Sequence, residues 1–239
     1  MKIAILTDTH GNLPALKATL SAIEKEMCDA IYHTGDAIGI GPYPAECLDL
    51  LLRTPRIHLI MGNHDAWFAY GLPDPRPSWM SDGELEHQHW VHSCIDPSLR
   101  SVVGQWPYLM REELGGIQVA CIHYGLTESQ RDFVPIVRGP DPPDLDSIFR
   151  GFQSDIVFYG HQHRTSDSCG QARYINPGSM GCHREPIARY AILECEKQEY
   201  RIRRCGVPYN DRALFEEFER REVPEREFIY RAFFGGRYP

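Results

Sequence analysis

Asp8 and His10 stand two positions apart, directly behind the short apolar run KIAIL. The placement recurs: Gly35-Asp36 follows AIYH, Gly62-Asn63-His64-Asp65 follows IHLIM, His123 closes IQVACI, and Gly160-His161-Gln162-His163 follows DIVFY. Singly, each has a plain structural reading. An Asp before a His can start a turn and cap a helix, Gly-Asp is a common turn dipeptide, and a lone His behind a strand is more often a satisfied core residue. Jointly they point elsewhere. Five consecutive strand ends carry Asp, Asn or His, with glycines that permit tight backbone paths. In open parallel sheets the carboxyl ends of the strands line one crevice, so groups distant in the chain can meet there.

The residue types fix the chemistry such a crevice could do. Asp8, Asp36 and Asn63 offer oxygen ligands, and His10, His123, His161 and His163 offer imidazoles. These are too many for one tetrahedral ion but suit two ions that share a carboxylate. Oxygen and imidazole without thiolate favour manganese, with iron, zinc, cobalt or nickel as alternatives, over magnesium alone. Two such ions about 3.5–4 Å apart clamp the attacking and leaving oxygens of a phosphoryl displacement.

The elements that must position these groups follow from periodicity. KIAILTD (2–8) reads as a strand. Leu13, Leu16, Leu20, Ile23 and Met27 are spaced as one helix face. Asn12 can cap that helix, and Pro14 is tolerated in its first turn. AIYHTGD (30–36), PYPAECLDLLLR (42–53) and IHLIMGN (57–63) continue strand, helix, strand, which implies parallel pairing. Residues 66–116, broken by prolines at 73, 75, 77, 97 and 107, read as a helical and loop insert that could cap the crevice. IQVACIHYG (117–125), DLDSIFRGF (144–152) and DIVFYGH (155–161) read as strand, helix, strand. RYINPGS, ARYAILE and EYRIRRC are consecutive strands with an antiparallel turn near Glu196–Gln198. Charged helices over 211–222 and 225–234 form a C-terminal tail, 207–239. Without repeats or a clear linker, residues 1–239 read as one α/β domain.

Composition sets the outer limits. The chain has 239 residues, 42% hydrophobic and 24% charged, which suits an ordinary globular protein. No apolar run approaches the ~20 residues of a membrane span, and MKIAILTDTH reaches an acid too early for a signal peptide. A cytoplasmic protein with reduced, mostly buried thiols is therefore expected, and since none of the 8 cysteines forms a C-x-x-C pair a zinc finger is not. A net charge of −8 argues against a general nucleic-acid surface. It leaves room for an anionic substrate at bound metal.

With these residues in place, the chain resembles the calcineurin-like metallophosphoesterases. The similarity lies in "DTH", "GD", "GNHD", the His of "IHYG", and "GHQH", in that order. "GDAIGIGPYPAECLDLL" (35–51), "NPGSMG" (176–181) and "VPYN" (207–210) resemble the small prokaryotic phosphodiesterase-type branch. The resemblance implies two packed mixed β-sheets flanked by helices, a four-layer fold. It implies two divalent ions, one held by Asp8, His10, Asp36 and His163, the other by Asp36, Asn63, His123 and His161. A hydroxide between the ions would attack phosphorus, and His64 would stabilise or protonate the leaving oxygen. Asp65 would either orient His64 or support its loop. The substrate would be a phosphate ester, a small molecule or a nucleotide, and a homo-oligomer is compatible with the tail.

One departure bears on the substrate. The protein-phosphatase branch carries "GDxVDRG", and here Gly39 and Ile40 replace its Asp-Arg pair. A diester is therefore expected over a phosphoprotein. The rivals are a non-catalytic scaffold of this fold, like the retromer subunit that resembles the family, and a nucleotide sensor. A scaffold should have lost ligands or the His of the GNHD block, and none is missing here.

Other residues carry weaker expectations. His87, His89 and His92 are spaced for a solvated helix rather than a third metal, and Trp79, Trp90 and Trp106 should pack in the core, with lining a cap over the crevice as the alternative. Tyr124 should fill space, with stacking on a substrate ring as the alternative. Ser179 in NPGSMG could reach a phosphate. Phe215, Phe218, Phe228, Ile229, Phe233 and Phe234 of the tail should partly pack on the body and could otherwise form a lid or a dimer contact.

Overall fold

The computed structural model describes residues 1–237; the last two residues of the tail expected over 207–239 lie outside them. Two sheets of five strands each form the body. The first contains β1 (Lys2–Leu6), β2 (Ala30–His33), β3 (Ile57–Leu59), β9 (Ile187–Glu196) and β10 (Glu199–Pro208) in the order β10-β9-β1-β2-β3. β1, β2 and β3 pair in parallel, and β9 runs antiparallel to β1. The second contains β4 (Leu109–Leu114), β5 (Ile117–Ile122), β6 (Ile156–Phe158), β7 (Ser166–Cys169) and β8 (Arg173–Asn176) in the order β4-β5-β6-β8-β7. Here β5, β6 and β8 are parallel, with an antiparallel strand at each edge.

Strand periodicity of two assigns the layers. In β1, Ile3 and Ile5 join Val119, Cys121, Phe158 and Leu193 between the sheets. Ala4 and Leu6 face the other way, under α1 (Leu13–Glu26) and α2 (Pro44–Arg53), with Leu16, Ile23, Leu48 and Leu51. The outer face of the second sheet packs Ala120, Ile122, Val157 and Tyr159 against Leu145 of α6 (Pro142–Ile148) and Phe149. Helix, sheet, sheet, helix is the four-layer arrangement the motifs imply. Each fully buried aliphatic side chain contributes about 1.5–3 kcal/mol.

The expectations fail in instructive places. β4 was not anticipated, because the charges of LMREEL hide an edge strand whose hydrogen bonds come from β5. β7, SDSC, is likewise too polar to read as a strand. Strands one, two, three, five and six end two to four residues earlier than their apolar runs suggest, because the chain turns away once it reaches the ligand residues. Met27 does not lie on the α1 face: it terminates the helix at φ 53 and is 83% exposed. The helical insert expected from residue 66 begins earlier, with α3 (Asn63–Tyr70) starting inside the GNHD block. α4 (Asp82–Ser93) and the short α5 (Arg100–Val103) follow it.

Two side-chain expectations need correction, those for His87 and Trp79, while the partial packing expected of the tail aromatics is met. His87 is buried rather than solvated, its Nδ1 facing the Pro224 carbonyl at 3.1 Å, while His89 is exposed as expected. Trp79 is 60% exposed and stacks on Trp67 instead of entering the core. In the tail, α7 (Arg212–Arg220) and α8 (Arg226–Phe233) bury Phe215, Phe218, Ile229 and Phe234 with Ile40 and Cys182 of the body, whereas Phe228 is exposed. No helix among the described residues is long and apolar enough to cross a membrane.

Candidate metal centre

The carboxyl ends of β1, β2, β5 and β6, with the start of α3, bring all eight singled-out residues into one cluster. Three groups of side chains hold ligand atoms within 4.8 Å of one another: Asp8, His10 and His163; His10, Asp36 and His64; Asp36, His123 and His161. Asp36 belongs to two of them. Asn63 joins the third through its Oδ1, 3.2 Å from His123 Nε2.

The backbone is bent to achieve this. Asp8, His10, Asp36, His161 and His163 all have φ between 45° and 67°. Left-handed conformations cost non-glycine residues about 1–3 kcal/mol and persist only where surroundings enforce them. Ser179 is one enforcer: fully buried, its hydroxyl donates to the Asp8 carbonyl at 2.9 Å and accepts from the Cys182 N–H at 2.8 Å. It braces the loop from behind and cannot reach a phosphate. Gly181 allows the approach, since a Cβ there would lie 1.9 Å from the Thr9 carbonyl oxygen.

Tautomers follow from the partners. His10 Nδ1 faces the Ile38 carbonyl at 3.1 Å and His123 Nδ1 faces the Thr34 carbonyl at 2.9 Å. A carbonyl only accepts, so both rings carry a proton on Nδ1 and in the neutral form present a bare Nε2. His10 Nε2 lies 2.9 Å from His163 Nε2 and 3.6 Å from Asp36 Oδ2. His123 Nε2 lies 3.2 Å from Asp36 Oδ2. Lone pairs and carboxylates thus converge, an arrangement that calls for cations. Asp8 Oδ2 makes the same demand, being buried with no hydrogen-bond partner among the described residues.

Electrostatics agree. Burial holds the His10, His163 and His161 imidazoles below the ordinary value, His161 at about 3, so they are neutral and able to ligate. Burial likewise raises the Asp8 carboxyl. At His123 burial lowers, but Asp36 and Asp8 outweigh it and push the ring up to about 9. A proton sits there when no metal does.

Two expected alternatives are now decided by geometry. Asp65 does not touch the His64 ring. Its carboxylate accepts the Asp36, Ala37 and Gly62 N–H groups at 2.8, 3.0 and 3.0 Å and so ties the GD loop to the GNHD loop. Burial first, then the Asp36 charge, pushes its pKa up to about 7. Tyr124 is fully buried, its hydroxyl accepting from the Val137 N–H at 3.0 Å, so it fills space and cannot stack on a substrate.

Three residues, Gln88, His33 and Phe133, escaped the sequence reading. Gln88 Oε1 stands 3.3 Å from His64 Nδ1 and orients that ring, leaving Nε2 for the cluster. His33, buried and neutral, bridges Thr9 Oγ1 at 2.7 Å and the Gly35 N–H at 3.2 Å, locking two loops together. Phe133 packs its ring 5.4 Å from His123, much as Phe233, already named among the tail aromatics, comes 5.7 Å from His163. None follows a strand in the repeating pattern; only the polarity of Gln88 on the α4 face could have drawn notice.

A family model described as the calcineurin-like phosphoesterase superfamily domain matches residues 1–198. The chain belongs to that superfamily. An uncharacterized protein of Methanocaldococcus jannaschii is 24% identical over 93% of this chain and 94% of its own length. A phosphodiesterase of the same organism is 22% identical over 84% and 97%. A hypothetical protein from Pyrococcus horikoshii OT3 has the same fold, with a TM-score of 0.82, 21% identity and 99% of each chain covered. Among calcineurin-like phosphoesterases, the protein-phosphatase arginine position falls here on Ile40. That side chain is buried with the tail, and a side chain at Gly39 would meet His64 Nδ1 at 2.5 Å. The loop has no room for that Asp-Arg pair.

Proposed function

We propose that this chain hydrolyses phosphodiesters at a centre of two divalent ions, manganese foremost. Asp8, His10, Asp36 and His163 would hold one ion, and Asp36, Asn63, His123 and His161 the other. The observation that carries the reading is that the Nε2 atoms of His10 and His123, with Nδ1 of each ring committed to a backbone carbonyl, both turn toward the shared carboxylate of Asp36. Ions bound there supply positive charge against the phosphoryl oxygens and a nucleophile from water at neutral pH.

The chain's own groups do the rest. The bracing by Asp65, His33 and Ser179 holds the donors in place before substrate arrives, so little reorganisation is needed during reaction. His64, half-buried at the edge of the cluster, donates from Nδ1 to Gln88 and directs Nε2 toward the position of the leaving oxygen, which it protonates. The filled Ile40 position supports a diester preference, because a monoester's extra negative charge would lack the arginine used by the phosphatase branch. The phosphodiesterase name of the relative from Methanocaldococcus jannaschii points the same way.

The test is turnover of bis-p-nitrophenyl phosphate against p-nitrophenyl phosphate by protein stripped of metal and reloaded with manganese. Diester kcat/KM should exceed monoester kcat/KM by about tenfold or more, a difference of about 1.4 kcal/mol in transition-state stabilisation. A clear monoester excess would overturn the diester preference.

A further inference from the structure

The groove beside His163 has a charge opposite to that of the chain. It encloses about 680 Å³, and its wall combines Arg164, Arg184, Arg189, His183 and Phe233 with the two histidines of "GHQH" and includes no carboxylate. The chain as a whole carries −8. Several arginines elsewhere are matched: Arg173 with Asp167, Arg203 with Glu26, Arg221 with Glu46 and Glu217. Others left unmatched among the described residues, such as Arg56, Arg111 and Arg150, do not line the groove. No ion pair among the described residues uses Arg164, Arg184 or Arg189. Unmatched guanidinium groups around a concave surface focus a positive field and attract anions.

A second observation points to an oxyanion. His183 Nδ1 lies 3.1 Å from the Glu185 N–H, and His183 Nε2 lies 2.9 Å from Arg189 Nη2. Backbone N–H and guanidinium both donate, and a neutral imidazole has one acceptor nitrogen. Whichever nitrogen holds the proton, one donor faces another donor and lacks an acceptor. An anionic oxygen in the groove would supply that acceptor.

The groove is also built rather than incidental. Gly178 of NPGSMG, at φ +88, leaves space for Arg189, since a Cβ there would lie 2.9 Å from Arg189 Cδ. From the tail, Arg237 donates to the His183 carbonyl at 2.8 Å and Gly235 lies against the Arg184 stem. The tail follows the stretch matched by the superfamily model, which ends at residue 198. Its Phe233 gives the groove an apolar face next to His163.

We infer that this groove binds a second anionic group, a phosphoryl or similar oxyanion, on the same substrate whose diester occupies the metal centre. The linking portion lies against Phe233, and Arg164, Arg184 and Arg189 bind the distal oxygens. This rests on the phosphodiesterase reading and narrows it to diesters that carry a further phosphate-like charge. Guanidinium groups suit that role through forked, charge-assisted hydrogen bonds.

The experiment is calorimetric titration of the manganese-loaded full chain with butylphosphonate and with 1,4-butanediphosphonate, whose C–P bonds a phosphoesterase does not cleave. The diphosphonate should bind at least tenfold tighter. Arg164→Ala with Arg184→Ala should remove that advantage while changing butylphosphonate affinity less than threefold. Arg184→Glu should remove it as well, and Arg53→Ala, on the far exposed face of α2, should retain it. Equal affinity of the two probes for the parent protein would overturn the inference, as would an equal loss of both in the arginine variants. Turnover of bis-p-nitrophenyl phosphate by the parent tests the hydrolase reading separately. Absent turnover with a persisting diphosphonate advantage refutes the hydrolase and leaves the groove standing.

Discussion

Asp36→Asn is expected to lower phosphodiester turnover by about 10³-fold or more, a loss of about 4 kcal/mol of transition-state stabilisation, and to reduce manganese uptake to one ion per chain or fewer. The substitution isolates charge from shape. Asn tolerates the left-handed conformation that Asp36 adopts at φ 58. Its Oδ1 can still accept the His64 N–H, at 3.0 Å in the parent, and its Nδ2 can donate to the bare His123 Nε2, where Oδ2 stands at 3.2 Å. What disappears is the carboxylate shared by two clusters of donors. The metal-free variant should also melt below the parent's temperature, because, against burial, the His123 imidazolium facing Asp36 holds its carboxyl well below the usual carboxylate range and that stabilisation is lost. Metal content and turnover measured with the metal-free melting curve check this. Unchanged turnover would exclude a bridging role, and a collapsed melting curve would show that Asp36 is needed for the fold itself.

His64→Ala should have the second largest effect, and its size should depend on the leaving group. His64 lies within ligand distance of His10 and Asp36, so its position alone is compatible with binding a metal. The orientation favours proton donation instead, because Gln88 holds Nδ1 and the ring is only half-buried. General acid catalysis typically contributes 10²–10⁴-fold, and most where the departing oxygen is basic. With p-nitrophenolate as leaving group the loss should be about tenfold. With an alkoxide leaving group it should reach about 10³-fold, and two manganese ions should remain bound in both cases. Turnover across a series of diesters of increasing leaving-group pKa provides the check. A loss of metal, or a loss independent of the leaving group, would make His64 a ligand and remove it from the protonation step.

Much of the centre was legible in the sequence, for a physical reason. Strand ends in a parallel sheet point into one crevice, so Asp8, Asp36, Asn63, His123, His161 and His163 could be gathered from apolar runs followed by ligand residues. What could not be read was the scaffolding behind them. His33 sits within a strand as an ordinary polar residue, and Gln88 lies on a helix in a proline-broken insert. Their importance arises from contacts to residues 24 positions away in the chain, Thr9 and His64. Asp65 was noticed, but only the folded loops show that it serves backbone N–H groups rather than the His64 ring. β4 and β7 were missed because edge strands draw their order from a neighbour and their polar faces from solvent. The tail's aromatic pattern signalled burial without revealing that Phe233 would end beside His163.

The measurement that tests the central claim most directly is manganese titration of the stripped full chain, followed by electron paramagnetic resonance. The account predicts uptake of two ions per chain and, after the second equivalent, a spin-coupled spectrum with halved hyperfine spacing, the signature of two ions sharing Asp36. Saturation at one ion, or two ions with uncoupled spectra, would contradict a centre built on a shared carboxylate.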